Sequence, residues 1–373
     1  MATPFVYEEP VTGDDLIDRV DEIALLTDRA LNGRNTRLVG PRRFGKTSVI
    51  RAALAACAPV AAATVEVNFL GCVTAEDAAV RIERAYGRAL VGPLRRWFDG
   101  VVRTLRPTFS AAPGGVGVRV APTGGANALL DRLALPRRIH EKTGKVCVIA
   151  FDEFQEVLRI DPALPGTFRA EMETHGPAAG YIFSGSHPGL MRELFADRRH
   201  AFFAQAAPVE LGPLPLDALA EVIDFRFRRD GRDAGEALGP LLDAGAGHPQ
   251  RTMLLAHHLF LATPARGTAG IEEWTLAEAG ARQEAQSEIQ VLWASASNLE
   301  RRVLKAVADG TVTLTSGAAT TRFGLGKGGS VRTATDRLTD EGHLVAAAYA
   351  PAGLTTVDPF LRAWLQRGSD EPD

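Results

Sequence analysis

Cysteine is scarce in this chain: Cys57, Cys72 and Cys147 are the only three, and they lie far apart. That spacing excludes a disulfide framework and any cysteine-based metal site, and two of the three sit among apolar neighbours, so reduced core thiols are expected. Long apolar runs are also missing. No stretch approaches the ~18 consecutive apolar residues of a membrane span. The start, MATPFVYEEP, is acidic and lacks the apolar region of a signal peptide. A cytoplasmic chain without a membrane partner is expected. There is no excess of one charge either: 42 Lys and Arg against 45 Asp and Glu give −3 and a pI near 6.3. A globally basic nucleic-acid coat is thereby disfavoured, although one local basic face remains open. What is present is 46% hydrophobic and 23% charged residues over 373 positions, enough for two or three domains with a substantial core.

The stretch with the most chemical content runs from Thr36 to Ala56. A short apolar run meets Gly40-Pro41-Arg42-Arg43-Phe44-Gly45-Lys46-Thr47-Ser48, which fits G-x-x-x-x-G-K-[ST], and an Ala/Leu/Ile-rich helical segment follows. Glycines at these positions let successive N–H groups curl around phosphate oxygens. Lys46 is expected to reach the β- and γ-phosphates, and the Thr47 hydroxyl to ligate Mg²⁺. The following helix turns the positive end of its dipole towards the anion. A bound nucleoside triphosphate, most readily ATP, is the expectation.

Upstream, Leu16 to Leu31 carries apolar residues at roughly helical spacing, a helix placed before the first strand. It either packs as plain core or covers the base, with Asp18 and Arg19 as anchor. Downstream, Ala63–Leu70 alternates as a strand, and one long helix is expected from Thr74 to about Phe98. Residues 106–126, rich in Pro and Gly, read as a hairpin or loose insertion. A helix from about Ala126 to Lys142 follows. Lys145–Phe151 is then a continuous apolar run ending in Asp152 and Glu153, the pattern of a central parallel strand buried on both faces. Ligands bind at the carboxyl ends of such strands. Asp152 is placed to hold Mg²⁺, and Glu153 to orient and deprotonate an attacking water; the alternative is an acidic helix cap. Gly180–Ser184 is a further strand, after which Ser186 or His187 could sense the γ-phosphate, or simply cap the next helix. Arg192, Arg198 and Arg199 either stabilise charge on the γ-phosphoryl, in cis or in trans, or form a solvated basic surface. Ala207–Leu211 closes the sheet. From Pro215 onwards the pattern is helical, broken by a Gly-rich turn before His248 and Pro249. At the end, Asn298–Val307 and Gly329–Leu338 read as helices, and His343–Ala346 and Leu354–Val357 as two short strands, together a winged helix-turn-helix.

These residues resemble a family. GPRRFGKTS, VIAFDEFQEV, SGSHPGLM, GAGHP and VDPFLRAWL together are similar to the archaeal-type ATPases of the STAND branch of P-loop NTPases, relatives of the AAA+ replication-initiation ATPases. The resemblance implies that Gly40–Ser48 is the Walker A loop and that Asp152 with Glu153 is the Walker B pair. It also implies that Gly185-Ser186 is a sensor turn, that His248-Pro249 contacts nucleotide, and that Asp18-Arg19 is an N-terminal box. Many members carry an arginine where Gln205 stands here. The fold expected is an α/β P-loop core over 1–212, a helical lid over 213–295, a winged helix over 296–367 and a frayed tail over 368–373. The function expected is a slow Mg²⁺-dependent ATPase switch in signalling or defence. Its winged helix would face a protein partner, a second copy or its own core. The alternative is a nucleotide-gated DNA-binding protein using residues 298–357, with Arg332, Arg337 and Lys327 on the phosphates. A phosphotransferase onto a small acceptor is disfavoured by the winged helix and by Glu153 directly after Asp152.

Overall fold

A computed structural model describes residues 3–105, 125–326 and 328–368. Most of the insertion expected at 106–126, Lys327 and the tail beyond residue 368 lie outside them.

Helix α1 (Val20–Leu31) leads into strand β1 (Thr36–Val39), the Gly-rich loop and α2 (Lys46–Cys57). It starts later than its apolar spacing suggests, because Asp18 and Arg19 both take left-handed backbone, φ 58° and 72°. Strand β2 (Ala63–Asn68) alternates buried and half-buried residues. The single helix expected after it is two, α3 (Ala75–Ala89) and α4 (Gly92–Leu105). Gly92-Pro93 breaks them apart, with Gly92 at φ +57°. Thr74 and Asp77 form a capping box at the start of α3. The next expected helix is likewise split, into α5 (Gly125–Leu133) and α6 (Leu135–Thr143), with Pro136 in the first turn of α6. Then come β3 (Cys147–Asp152), buried along its whole length, α7 (Glu156–Ile160), α8 (Leu164–Glu173), β4 (Ala179–Ser184), α9 (Pro188–Ala196) and β5 (Ala207–Glu210).

All five strands are parallel, in the order β2-β3-β4-β1-β5. Strand β1 therefore lies beside β4, with Thr36 opposite Ile182, so the loop after β1 and the turn after β4 open at the same edge. One face of the sheet is covered by α1 and α2 through Leu26, Val49, Ile50 and Ala53. The other carries an aromatic cluster of Phe69, Phe151, Phe154, Phe168 and Phe183. Gly180 lets α1 approach β4: a Cβ there would lie 2.0 Å from the carbonyl oxygen of Ala30.

The rest of the chain is mainly helical: α10 (Leu216–Arg229), α11 (Leu238–Gly245), α12 (Pro249–Ala262), α13 (Ile271–Ser295), α14 (Asn298–Asp309), α15 (Gly317–Phe323) and α16 (Gly329–Asp340). An antiparallel ribbon of β6 (Leu344–Ala346) and β7 (Leu354–Thr356) precedes α17 (Pro359–Gln366). Helix α15 was not legible as periodicity; seven residues are too few to show it. Helix α13 is 25 residues long and buries Ala277, Ala281 and Ala285 on one face, which lets α12 pack closely. Buried side chains run without a break from α10 through α13 to α14, α16 and α17. All three cysteines are buried and free. Among the described residues no helix is long and apolar enough to cross a membrane.

Candidate nucleotide site

The loop between β1 and α2 wraps the first turn of α2. Gly45 sits at φ +81°, a conformation that costs a side-chain-bearing residue energy but not glycine. Arg43 adopts φ +69° without that freedom. Helix α2 starts at Lys46, so the N–H groups of its first turn have no partner within the helix and face the loop. Lys46 is 8% exposed. Its ammonium donates to the carbonyls of Gly40, at 2.9 Å, and Pro41, at 2.7 Å. Burial pulls its pKa down to about 8, against the opposing pull of Glu153 and Asp152.

Opposite the loop stand the two carboxylates. Asp152 accepts hydrogen bonds from the Ser184 hydroxyl, from Thr47 Oγ1 at 3.2 Å, from Asn68 Nδ2 at 3.4 Å and from the Glu153 N–H at 3.1 Å. It is thus held by the ends of the two neighbouring strands, β2 and β4, and by the start of α2. Glu153 takes φ +52°, which turns the chain sharply off the end of β3. Such backbone costs a non-glycine residue roughly 1–2 kcal/mol and persists only where the surroundings impose it. Here the Phe154 N–H donates to the Ser184 carbonyl at 2.9 Å. The Glu153 carboxylate accepts from the Ser186 N–H at 3.1 Å, the Ser186 hydroxyl at 2.8 Å and Gln155 Nε2 at 2.5 Å. Gly185 leaves room for this arrangement, since a Cβ there would stand 2.0 Å from Gln155 Oε1.

The loop, the carboxylates, α12 and α13 line one open cavity of about 520 Å³, a size suited to a cofactor-sized ligand. Arg19, Arg42, Arg43, Phe44, Gly45, Lys46, Thr47, Ser48, Asp152, Glu153, Ser186 and Pro249 all line it. A strap of residues 6–11 also lines it, together with the apolar side chains of Leu214, Met253 and Leu254. The Val11 N–H donates to Ser48 Oγ at 3.0 Å, tying the strap to α2. His248 stands behind Phe44, ring to ring at 4.9 Å, and its Nδ1 caps α12 by accepting from the Arg251 N–H. Burial pushes its pKa down to about 4, so it is neutral at pH 7. Gly40 and Pro41 take part through their carbonyls. Asp18, Arg198 and Arg199 are not among the lining residues. Arg199 pairs with Asp197 at 2.6 Å and is largely exposed, while Arg198 lies over the Phe203 ring. Gln205 donates weakly to the Phe203 carbonyl.

Solved structures share the fold. The Walker-type ATPase of Pyrococcus abyssi superposes with a TM-score of 0.70 at 17% identity, over 96% of this chain and 99% of that one. The fold is that of a P-loop ATPase. The ORC2 protein of Aeropyrum pernix, solved as ADPNP and ADP complexes, gives 0.63 at 17% identity over 97% of this chain and 95% of that one. No protein-family model matches the chain, and no curated protein matches it by sequence.

Gln155 and Ser184, which hold the carboxylates, stood inside the quoted motifs VIAFDEFQEV and SGSHPGLM without a role of their own, whereas Asn68, the strap, Arg251 of α12 and Glu288 of α13 carried no sequence signal. Their importance arises from contacts made across the fold. Mg²⁺ is implied by the fold, and the donors suit it. A hydroxyl and a carboxylate, Thr47 and Asp152, already meet at 3.2 Å. Mg²⁺ is commonly held by one or two such oxygens together with phosphate and water.

Proposed function

We propose that the chain is a slow Mg²⁺-dependent ATPase that works as a switch. Lys46 carries this reading: a buried lysine at the start of a helix, bonded to two carbonyls and not to a carboxylate, is costly until an anion arrives. The adenine nucleotides in the ORC2 structure support ATP as that anion.

Lys46 and the N–H groups of α2 would bind the β- and γ-phosphates. Thr47 and Asp152 would hold Mg²⁺, which supplies neutralisation of charge on the phosphoryl group. Water attacks the γ-phosphorus, the bond to the bridging β-oxygen breaks, and the proton passes to Glu153. Ser186 and Gln155 keep the Glu153 carboxylate in one orientation for that transfer. Arg19, Phe44 and Pro249 would shape the walls, with His248 behind them and Asp18 turning the chain into α1. Arg198 and Arg199, at the end of α9, would reach a phosphoryl group only from a neighbouring copy.

Residues 1–212 form the ATPase core in this reading, 213–295 the lid and 296–367 a winged helix of the STAND type that faces the core. Asp340 at the end of α16 accepts from Arg192 of α9 at 2.6 Å, which supports an inward-facing role over DNA binding. Nucleotide titration and steady-state hydrolysis of the parent, Lys46→Ala and Glu153→Gln chains test the reading. Absent ATP binding in the parent would overturn it.

A further inference from the structure

Four charged residues form a chain of bonds from the phosphate loop to the C-terminal unit. Arg43, in the loop, makes a two-pronged contact with Glu288 of α13, one prong at 2.5 Å. The same carboxylate accepts from Arg251 Nη2, on α12, at 3.0 Å. Arg251, 3% exposed, also grips Asp358 at 2.6, 3.1 and 3.2 Å. Asp358 caps α17 by accepting from the Phe360 N–H at 2.8 Å, and the Phe360 ring lies 5.2 Å from the Arg251 guanidinium. Loop, lid and C-terminal unit are thus joined by two guanidinium and two carboxylate groups that neutralise one another. Arg43, Arg251 and Glu288 all line the nucleotide cavity.

The pairing lowers the pKa of both carboxyl groups. The Arg43 guanidinium, against partial burial and with help from Arg251, holds the Glu288 carboxyl down at about 2. Burial pushes the Asp358 carboxyl up, but Arg251 and His248 more than offset it, so it too is held below its usual range. A carboxylate on the cavity wall and a polyphosphate in the cavity compete for the same cations. The competition grows with the number of phosphates, because each adds charge that attracts Arg43 and repels Glu288.

Resting on the nucleotide reading of this cavity, we propose that Glu288 is the residue by which the lid senses a triphosphate: the entering anion takes Arg43 from it, and Arg251 with Asp358 carries the release to α17. Glu288 is a positioning residue, since it acts through the two arginines. By linkage, whatever coupling ATP exerts on α17, the state of α17 exerts on ATP affinity.

The test uses the full chain, with Mg–ATP and Mg–ADP as probes and hydrogen exchange of α17 as second readout. Glu288→Gln keeps the shape and removes the competing charge. It should tighten Mg–ATP over Mg–ADP by about five- to tenfold, and exchange in α17 should stop responding to ATP. Glu284→Gln, one turn earlier on the same cavity wall but bonded to His258 at 3.0 Å, is the control for charge alone. An equal shift in both variants, or an ATP-responsive α17 in Glu288→Gln, overturns the sensor while leaving the nucleotide site intact. A parent that binds neither nucleotide overturns both. If Glu288→Gln fails to fold, Glu288→Asp, which keeps the charge but shortens the reach to Arg43, is read the same way. The preference for ATP must then still shift upwards, or the proposal fails.

Discussion

Two groups of cations in this molecule look alike in sequence and behave differently in space. Lys46 is buried, bonded only to carbonyls, and so weakly compensated that its pKa falls to about 8. Arg332 and Arg337 on α16 are exposed and have acidic neighbours: Arg332 stands 3.8 Å from Asp336, and Arg337 lies 2.9 Å from Glu341 and 3.4 Å from Glu300. A desolvated cation without a direct ion pair gains much from an anion. A solvated, paired one gains little, because water and its carboxylate already satisfy it. The contrast separates a binding site from a charged surface.

Removing Lys46 should break the comparison most sharply. Lys46→Ala is expected to weaken ATP binding by about 10²-fold or more, read by calorimetric titration. Of similar size but different kind, Glu153→Gln should leave binding intact and lower hydrolysis by roughly 10²-fold or more. Hydrolysis at the parent rate would show that Glu153 is not the base. Gly185→Ala, which forces Gln155 away from Glu153, should cost between about ten- and a hundredfold in turnover with affinity retained.

The pH dependence sharpens the same contrast. Lys46 loses its proton near pH 8 in the free chain, whereas a bound phosphate holds that proton on. Affinity should therefore fall as pH rises through about 8, by up to about tenfold per unit. The stability sign is opposite. Between about 8 and the ordinary 10.5 the unfolded chain carries the extra proton, so Lys46 makes stability rise with pH there. An affinity flat from pH 7 to 9.5 would contradict the assigned role of Lys46.

The smallest effects belong to the surface arginines. Arg332→Ala with Arg337→Ala should leave melting temperature and ATP affinity unchanged. Fluorescence anisotropy with duplex DNA should show only weak binding, with a log–log salt slope of roughly −2 to −4. Sub-micromolar, ATP-dependent binding lost in that double variant would favour the DNA-gated alternative. Arg198→Ala and Arg199→Ala test a contribution between copies: a rate per subunit that stays flat with concentration removes it.

The P-loop, the two carboxylates and the parallel sheet around them could be read from residues alone. Each depends on local chemistry: glycines where a loop must curl round phosphate, and an uninterrupted apolar run where a strand is covered on both faces, as in Cys147–Phe151. Helix breaks were less legible. Gly92-Pro93 divides an apolar period that continues across it, and α15 is too short to show one. Nothing in the sequence pairs Arg43 with Glu288 or Arg251 with Asp358, separated by 245 and 107 positions. Nor does it set Gln155 against Glu153 or bury Lys46 while leaving Arg332 in water. The sequence by itself determined the strands, the phosphate loop and the acidic strand end, because short-range sterics and hydrophobic period specify them. Tertiary structure alone decided which charges lost their water and which carboxylate each arginine found. Desolvation and pairing depend on what other elements bring within a few ångströms, and no local stretch contains that information.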